Sequence, residues 1–512
     1  MKKLLSLSLL VVLVLAVGLL SGCGRSGDDN AAVVDDTPLR VLMPFQGFDP
    51  NDEPVAHALR EMTGFNVRYE TLPAENALIV LNATLAAREE FDLIVLQAGM
   101  FNETVALGAF EPLNDWLPSH LPNVLANTDP ALFHNVTLNG DVLGIPEGGT
   151  SPGFSSTVIR GRLDMFRQAG LNGMPTTIDE FYNASVFIRD ELGVIPLSIW
   201  RIGNNVIVPE LSSAFGVFSD WNVVDGQIRH AVETPGMLEY VTWMNHLFNT
   251  GILDGEYATL NAAMMNEKFF TGRAVSYFVA FWNEPGATST IMEAFPDAEL
   301  AFLPPLAGPD GTAGISKARG VNRVIAIPRV APNKERSFAF INAMNTEEAF
   351  RYVFLGEEGV HWTHDGTYFN PIDPTFDDER GNASHFPVGH VSRNASTYWL
   401  QARARRNLSL YEHLLEATDV TFTVPNLFHV TTFMPPIDIF NRNITAAQEF
   451  ASDSVLQFIC NVRPLSEWDA FVQEWRDLYH GATLTTAINE WWAESGEEVY
   501  PLMRNVPNPV PR

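Results

Sequence analysis

Three tryptophans stand where apolar, strand-like runs end, each close to polar side chains. Trp200 ends "IPLSIW", Trp282 ends "AVSYFVAFW" and is followed by Asn283 and Glu284, and Trp362 follows "YVFLGEEGVH". An aromatic ring beside amide and carboxylate groups suits a sugar, which presents apolar C–H faces and a rim of hydroxyls. Core packing is the alternative for each tryptophan, and helix capping is the alternative for Asn283 and Glu284. We predict that these five residues bind a ligand.

Five further polar residues flank apolar runs. Asp49 and Asn51 lie in "FDPND", Gln97 follows "FDLIVL", Arg160 ends "SSTVIR" and Arg323 lies in "NRVIAIP". Their amide, carboxylate and guanidinium groups can bind hydroxyls, so we predict them as ligand-binding residues too. Helix capping is the alternative for Asp49 and Asn51, and surface salt bridging is the alternative for the arginines.

Metal ligation is a weaker interpretation of the histidines. "HWTH" places His361 three residues before His364, and "HFPVGH" adds His385 and His390. Neither segment has the tight ligand spacing of a metal motif. The "DPNDE" segment offers alternating oxygens but lacks the EF-hand pattern, so we interpret it as a turn and helix cap. We therefore expect no metal site and no cofactor.

The N-terminus has the architecture of an export signal. Two lysines precede an apolar stretch, Leu4 to Leu20, and "LSGC" then ends at Cys23. This tetrapeptide resembles the bacterial lipobox, in which the cysteine thiol receives a lipid and the signal is cut before it. We expect a signal peptide over residues 1–22, a lipid on Cys23 and a flexible acidic tether over residues 23–38. The protein is then extracytoplasmic, at the outer face of the cell membrane.

Charge and cysteine content exclude several classes of protein. The 512 residues carry 61 acidic and 32 basic side chains and a formal net charge of -29. Such a surface repels phosphate backbones, so nucleic acid is not an expected partner. Cys23 and Cys460 are the two cysteines, too few for a disulfide scaffold or a cysteine-type zinc site.

Strand-like and helix-like patterns alternate in the first part of the chain. "LRVLMPF", "NVRYETL" and "FDLIVL" read as strands. Between them lie a helix ending at Gly64 and a second helix with Leu78, Leu81 and Leu85 on its inner face. This alternation predicts a doubly wound α/β sheet, whose ligands bind beyond the carboxyl ends of the strands.

A second α/β region and a helical end follow. "SSTVIR", "IPLSIW" and "AVSYFVAFW" read as strands, and Thr177 with Glu180 forms a capping-box pattern. "TPGMLEYVTWMNHLFNTG" reads as a helix that starts after Thr234. From about Ser409 the chain is mostly helical, including "SEWDAFVQEWRDLYHG" and Thr485–Ser495.

Several phrases resemble the family-1 type of bacterial extracellular solute-binding proteins, the receptors of carbohydrate ABC importers. They occur in the family's order along the chain from about Leu39 to beyond Trp362. The phrases are "LDMFRQAGLNGMPTTIDEF", "NEKFFTGRAVSYF", "NRVIAIPRVAPNKERSFAFINAM" and "GEEGVHW".

The resemblance implies a two-lobed, periplasmic-binding-protein-like fold of type II with a helical C-terminal extension. Crossings near Gly149, Glu299 and Asn345 would give a first α/β lobe of 39–149 plus 299–345 and a second of 150–298 plus 346–512. It also implies a monomeric, lipid-anchored receptor that is not an enzyme. Such a receptor closes its lobes on a carbohydrate, here an oligosaccharide, and delivers it to an ABC permease pair with its ATPase.

Two other functions remain open. "WNEP" resembles the acid/base motif of TIM-barrel glycosidases, with Glu284 as the acid/base and Glu357 or Glu358 as the second carboxylate. The eightfold strand–helix alternation of a barrel is not visible, which counts against a hydrolase. A lipoprotein whose lobes recognise only another protein is the third possibility.

Overall fold

The computed structural model describes residues 36–148, 157–201, 206–280, 284–317, 321–387, 405, 408–504 and 506. The described residues from Pro38 onward form one compact unit. The predicted signal peptide, Cys23 and almost all of the predicted tether lie outside the described residues. Within the described ranges, no helix has both the length and the apolar character needed to cross a membrane.

Short strands occur between Leu39 and Phe428. In chain order they are β1 (Leu39–Met43), β2 (Val67–Thr71), β3 (Leu93–Gln97), β4 (Thr137–Leu138), β5 (Asp141–Val142), β6 (Ile145–Gly148), β7 (Thr157–Arg162), β8 (Trp221–Val224), β9 (Gln227–His230), β10 (Ser276–Ala280), β11 (Leu300–Phe302), β12 (Ile315–Lys317), β13 (Val321–Ala326), β14 (Trp362–His364), β15 (Phe369–Pro371) and β16 (Asn426–Phe428).

Helices connect these strands and dominate the C-terminal region. They are α1 (Pro54–Thr63), α2 (Ala77–Ala87), α3 (Ala98–Thr104), α4 (Trp116–His120), α5 (Pro122–Asn127), α6 (Leu163–Gln168), α7 (Ile178–Phe187), α8 (Pro209–Ser212), α9 (Pro235–Asn249), α10 (Ala262–Phe270), α11 (Glu284–Ala294), α12 (Lys334–Met344), α13 (Glu347–Leu355), α14 (Thr375–Arg380), α15 (Leu408–Thr421), α16 (Asp438–Ile459), α17 (Trp468–Leu478) and α18 (Gly481–Met503).

Two sheets form the centres of two lobes. The first sheet has the strand order β2-β1-β3-β13-β6, in which β1 is parallel to β2 and β3, and β13 is antiparallel to β3 and β6. The second sheet has the order β10-β7-β11 and is antiparallel. The chain therefore alternates strand and helix in the first lobe, as predicted, and the fold is the predicted mixed α/β, two-lobed type.

Local sequence signals account for several helix boundaries. Thr177 caps α7 by accepting a hydrogen bond from the Glu180 amide at 3.1 Å. The Glu180 carboxylate reaches back to the amide of Thr176 rather than of Thr177, at 2.9 Å. Thr234 likewise caps α9 by accepting from the Met237 amide at 3.3 Å. Both caps satisfy amides that have no partner inside the helix.

The hydrophobic cores divide the chain differently from the predicted lobe boundaries. Leu300–Phe302 pairs with β7 in the second sheet, although a first-lobe segment was predicted from residue 299. Phe350, Phe354 and Phe376 pack in the core of the first sheet, although residues after 345 were predicted in the second lobe. Helical spacing identifies these aromatic residues as buried, but it does not identify the sheet that they cover.

The C-terminal helices share a hydrophobic core with residues of the second lobe. Phe458, Trp475 and Ile488, from α16, α17 and α18, share one core with Phe181 and Tyr240. Trp475 is fully buried, and its indole N–H donates to the Ala447 carbonyl at 3.1 Å. The extension is therefore part of the second lobe's core.

Hydrogen bonds also join this extension to the first lobe. The Asn135 side-chain amide donates to the Met434 carbonyl at 3.0 Å, and that of Asn441 donates to the Asn102 carbonyl at 3.3 Å. The segment before α16 and the start of that helix therefore bridge the two lobes.

Candidate functional site

A row of polar side chains crosses the first sheet at the carboxyl end of β3. Arg323 on β13 lies opposite Gln97 on β3 and opposite Glu147 on β6. Residues directly opposite in adjacent strands point to the same face of a sheet, so the three side chains form one row. Two residues predicted separately from the sequence, Gln97 and Arg323, are thus brought together at the end of the sheet where ligands bind in α/β folds.

Arg323 forms an ion pair and several hydrogen bonds. Its Nε lies 3.0 Å from a carboxylate oxygen of Glu147, which is nearly fully buried. Its terminal nitrogens donate to the carbonyls of Ser384, His385 and Phe386 at 3.1, 2.9 and 2.9 Å. These bonds fix the guanidinium and attach the 384–386 segment to the sheet, so the contacts of Arg323 are those of a positioning residue.

An exposed aromatic residue lies beside this row. Phe45 follows β1 and is 54% exposed, which is unusual for a phenylalanine in a chain with two large cores. Its neighbour Gln46 places Oε1 2.8 Å from His385 Nδ1. Because an amide oxygen can only accept, Nδ1 carries the proton in this bond. Phe45 was not predicted as a site residue; its position directly after an apolar strand is the signal that could have identified it.

Asp49 and Asn51 lie in the next turn, and Asn51 has a structural role. Its side-chain amide donates to the Tyr69 carbonyl at 2.9 Å, and its Oδ1 accepts from the Tyr69 amide at 2.9 Å. The Asp49 carboxylate accepts from the backbone and side-chain amides of Asn51, and these bonds lower the pKa of Asp49. Neither side chain caps α1, which begins with Glu53 in the capping position and makes no side-chain cap bond.

Trp200 packs on the second lobe. It is partly buried and packs against the cluster that contains Val158 and Val279. The next residue, Arg201, binds the Asp453 carboxylate of α16 at 2.6 Å. No strand forms over the predicted run "IPLSIW"; Ile195 and Leu197 make isolated bridges to Ala274 and Leu253 instead. The role of Trp200 in ligand binding stays a prediction.

Arg160 and Trp362 are buried. Arg160 is 4% exposed, and its guanidinium lies 4.7 Å from the centre of the Phe302 ring. Burial raises the pKa of the neighbouring Glu416, and the charge of Arg160 opposes that shift. Trp362 is 6% exposed, packs in the first lobe's core and donates from Nε1 to the Gly356 carbonyl at 3.0 Å. Their contacts are those of structural residues, and Trp362 and Trp200 belong to different cores.

The remaining predicted residues cannot be placed. Cys23, Trp282 and Asn283 lie outside the described residues, and for Glu284 the structure describes only the backbone, at the start of α11. Their predicted roles stay predictions.

His361, His364 and His385, three of the four histidines singled out in the sequence, contact other residues of the protein. His361 places Nε2 2.9 Å from the Glu379 carboxylate, and its Nδ1 accepts from the Glu357 amide at 2.9 Å. His390 lies outside the described residues. No group of three or more histidine, cysteine or acidic residues that could hold a metal occurs among the residues that the structure describes.

A separate cavity of about 380 Å³ lies on the second lobe. It is lined by Asn245, Asn461, Arg463, Pro464 and Leu465. The Asn245 amide donates to the carbonyls of Phe458 and Ile459 at 2.9 and 3.1 Å, and to Asn461 Oδ1 at 2.8 Å. These bonds satisfy the carbonyls at the end of α16, so the polar groups of this cavity serve as a helix cap.

Comparison with known proteins identifies a family and a shared fold. The family model described as "Bacterial extracellular solute-binding protein" matches residues 52–349. Lipoprotein LipO of Bacillus subtilis (strain 168) is 23% identical over 377 residues, which are 69% of this chain and 73% of LipO.

Two solved structures have the same fold at low sequence identity. One is an HMO-binding, ABC-transporter-associated solute-binding protein from Bifidobacterium longum infantis, with a TM-score of 0.66 and 16% identity over 90% of this chain and 99% of that one. The other is an EF-hand mutant of the S. pneumoniae ABC-transporter substrate-binding protein FusA in complex with fructo-nystose, with a TM-score of 0.66 and 14% identity. That match covers 90% of this chain and 100% of FusA.

Proposed function

Because the chain belongs to the bacterial extracellular solute-binding protein family, we propose that it is the receptor of an ABC importer and binds an oligosaccharide between its two lobes. The observation that carries the proposal is the match of the family model to residues 52–349, which include strands of both sheets. Of the two similar proteins described above, one is HMO-binding and the other forms a complex with fructo-nystose, which supports a carbohydrate as the ligand class.

Residues of the described part support a sugar site at the carboxyl end of the first sheet. Phe45 offers an exposed ring for the apolar face of a sugar, and Gln97 offers an amide that can both donate to and accept from hydroxyls. Arg323 and Glu147 hold this end of the sheet in place. We propose Trp200 as the aromatic contact from the second lobe, with Trp282, Asn283 and Glu284 as further contacts.

We further propose a lipid anchor on Cys23 and an extracytoplasmic location. The lipobox resemblance and the similarity to Lipoprotein LipO support the anchor. The partner would be an ABC permease pair with its ATPase, which supplies the energy of transport. The receptor itself performs no bond chemistry and acts as a monomer.

A thermal-shift screen tests the ligand class. Ligands that bind only the folded state raise the melting temperature by mass action, so a binding oligosaccharide should raise it in proportion to the logarithm of its concentration. The panel contains neutral oligosaccharides, acidic oligosaccharides and short peptides. A shift with peptides alone would contradict the proposed carbohydrate specificity.

A glycoside hydrolase with Glu284 as the acid/base is the alternative, and membership of the family argues against it. The receptor and hydrolase functions are distinguished by incubating the wild-type protein and Glu284→Gln with any oligosaccharide that binds. A receptor leaves the sugar intact in both samples. Release of shorter sugars by the wild type, lost in Glu284→Gln, would establish the hydrolase.

A further inference from the structure

The exposed ring of Phe45 stands on a loop that a distant part of the chain contacts. The loop consists of residues 44–48, directly after β1, and the distant part is the 382–386 segment, which follows α14. A ring on a loosely held loop loses conformational freedom when a sugar stacks on it, and that loss weakens binding. The contacts that fix the 44–48 loop therefore affect how tightly Phe45 could hold a ligand.

The side chain of Gln46 is bonded on both sides of its amide group. Its amide nitrogen donates to the carbonyl of Pro44, the residue before Phe45, at 2.8 Å. Because a carbonyl can only accept, this bond identifies the nitrogen end of the amide. The oxygen end accepts from His385 Nδ1 at 2.8 Å. Gln46 therefore closes around the backbone of Phe45 and ties it to the 382–386 segment.

Aromatic contacts join the same two parts of the chain. The ring of Phe48 lies edge-on to the ring of His385, with 5.5 Å between the ring centres, and 6.5 Å from the ring centre of Phe386. Phe386 is fully buried and lies edge-on to Tyr69 of β2 at 5.4 Å. His385 thus contacts the loop twice, through a hydrogen bond to Gln46 and through its ring.

The 382–386 segment is itself attached to regular elements of the first lobe. Arg323 on β13 donates to the carbonyls of residues 384–386. The side-chain amide of Asn382 donates to a carboxylate oxygen of Glu53, the residue directly before α1, at 3.0 Å. His385 therefore lies between two attachments, so it can serve as a fixed partner for Gln46.

We propose that Gln46 and His385 are positioning residues of the sugar site, which hold the 44–48 loop so that the ring of Phe45 is in place before the ligand arrives. A contact residue that is ordered in advance raises affinity, because less conformational freedom is lost on binding. The inference rests on the proposed function, in which Phe45 contacts the sugar. It adds two residues that act through Phe45.

The test is isothermal titration calorimetry with the tightest-binding sugar from a panel of malto-, galacto- and fructo-oligosaccharides of three to five units. His385→Phe keeps a ring beside Phe48 but removes the Nδ1–H donor. It should weaken binding about threefold to tenfold, the range expected for one hydrogen bond. Gln46→Leu removes the same bond from the other side and should have the same effect, so it replaces His385→Phe if that variant does not fold.

Two further variants separate positioning from a general structural role. His385→Asn supplies an amide N–H close to the place of the Nδ1–H, so it should restore most of the affinity. In the Phe45→Ala background, His385→Phe should cause no additional loss, because the ring that the pair positions is gone. A loss of the same size with and without the Phe45 ring would overturn the proposal.

His120→Phe is the matched control. His120 is another exposed histidine of the first lobe, with a hydrogen bond to Ser119 and a ring contact to Trp116, and its substitution should leave the affinity unchanged. Affinities of His385→Phe and Gln46→Leu equal to that of the wild type would overturn this inference alone. If no sugar of the panel binds the wild type, the proposed function is contradicted and this inference with it.

Discussion

At the scale of single residues, the turn after β1 holds both a hydrogen-bonded structural side chain and an exposed aromatic one. Asn51 forms a two-bond bridge to the backbone of Tyr69, whereas Phe45, six residues earlier, exposes its ring. An unpaired buried polar group costs more than the bond itself contributes, so the two residues should respond differently to truncation.

Asn51→Ala should lower the free energy of unfolding by about 1–3 kcal/mol, because it leaves the Tyr69 amide and carbonyl without their partners. Urea unfolding measures this change. Asn82→Ala, at an exposed position of α2, is the control and should have little effect. Equal stabilities for Asn51→Ala and the wild type would show that water replaces the bridge without cost.

Phe45→Ala should weaken oligosaccharide binding about tenfold, since loss of one stacked ring removes roughly 1.4 kcal/mol. The free energy of unfolding should stay nearly constant, because the ring is already exposed. Leu478→Ala, which truncates an exposed residue at the end of α17, is the matched control. An unchanged affinity in Phe45→Ala would place the ligand elsewhere.

Residue spacing predicted some of this site and missed the rest for physical reasons. Gln97 and Arg323 follow or enter apolar strands, and strand register then places them side by side. Trp362 has the same sequence context but lies in a core, because the pattern of a short apolar run does not distinguish a strand end in the cleft from a buried one. Phe45 was missed because a phenylalanine beside a strand is usually buried.

At the scale of elements, Glu210 on α8 and Lys317 on β12 should make the free energy of unfolding depend on pH. Burial raises the pKa of Glu210 from 4.5 to about 7, so its contribution to stability falls as the pH rises from about 4.5 to about 7. Burial lowers the pKa of Lys317 from 10.5 to about 7, so its contribution rises between about pH 7 and 10.5. The summed contribution of Glu210 and Lys317 to the free energy of unfolding is therefore lowest near pH 7.

Glu210→Gln/Lys317→Met should therefore gain stability relative to the wild type, and the gain should be largest near pH 7. Urea unfolding of both proteins at pH 5.5, 7 and 8.5 measures it. If the free energies of unfolding of the two proteins differ by the same amount at all three pH values, Glu210 and Lys317 do not titrate near neutrality in the folded state.

The starts of helices were predicted more reliably than the packing of one element against another. Thr177 and Thr234 cap α7 and α9 as their patterns indicate, because a cap depends on residues three positions apart. The packing of Phe350 and Phe354 on the first sheet was not predicted, because it depends on the path of the whole chain. The same limit applies to the bridge from α16 to the first lobe.

At the scale of the whole molecule, the N-terminal cysteine should determine where the protein is found. Cys23→Ala should release the protein from the membrane fraction or leave its signal uncleaved, because the thiol is the proposed lipid acceptor. Fractionation with labelling by a fatty-acid analogue measures this. Cys460→Ala is the control, since Cys460 lies within the second lobe. Unchanged labelling of Cys23→Ala would contradict the lipid anchor.

We expect the two lobes to bind an oligosaccharide without chemical change. Isothermal titration calorimetry of the purified mature protein against the oligosaccharide that gives the largest thermal shift tests it most directly. We predict one site per chain, a negative heat-capacity change from the burial of apolar surface, and recovery of the intact sugar afterwards. No measurable heat with any oligosaccharide in the panel, or recovery of a cleaved product, would contradict it.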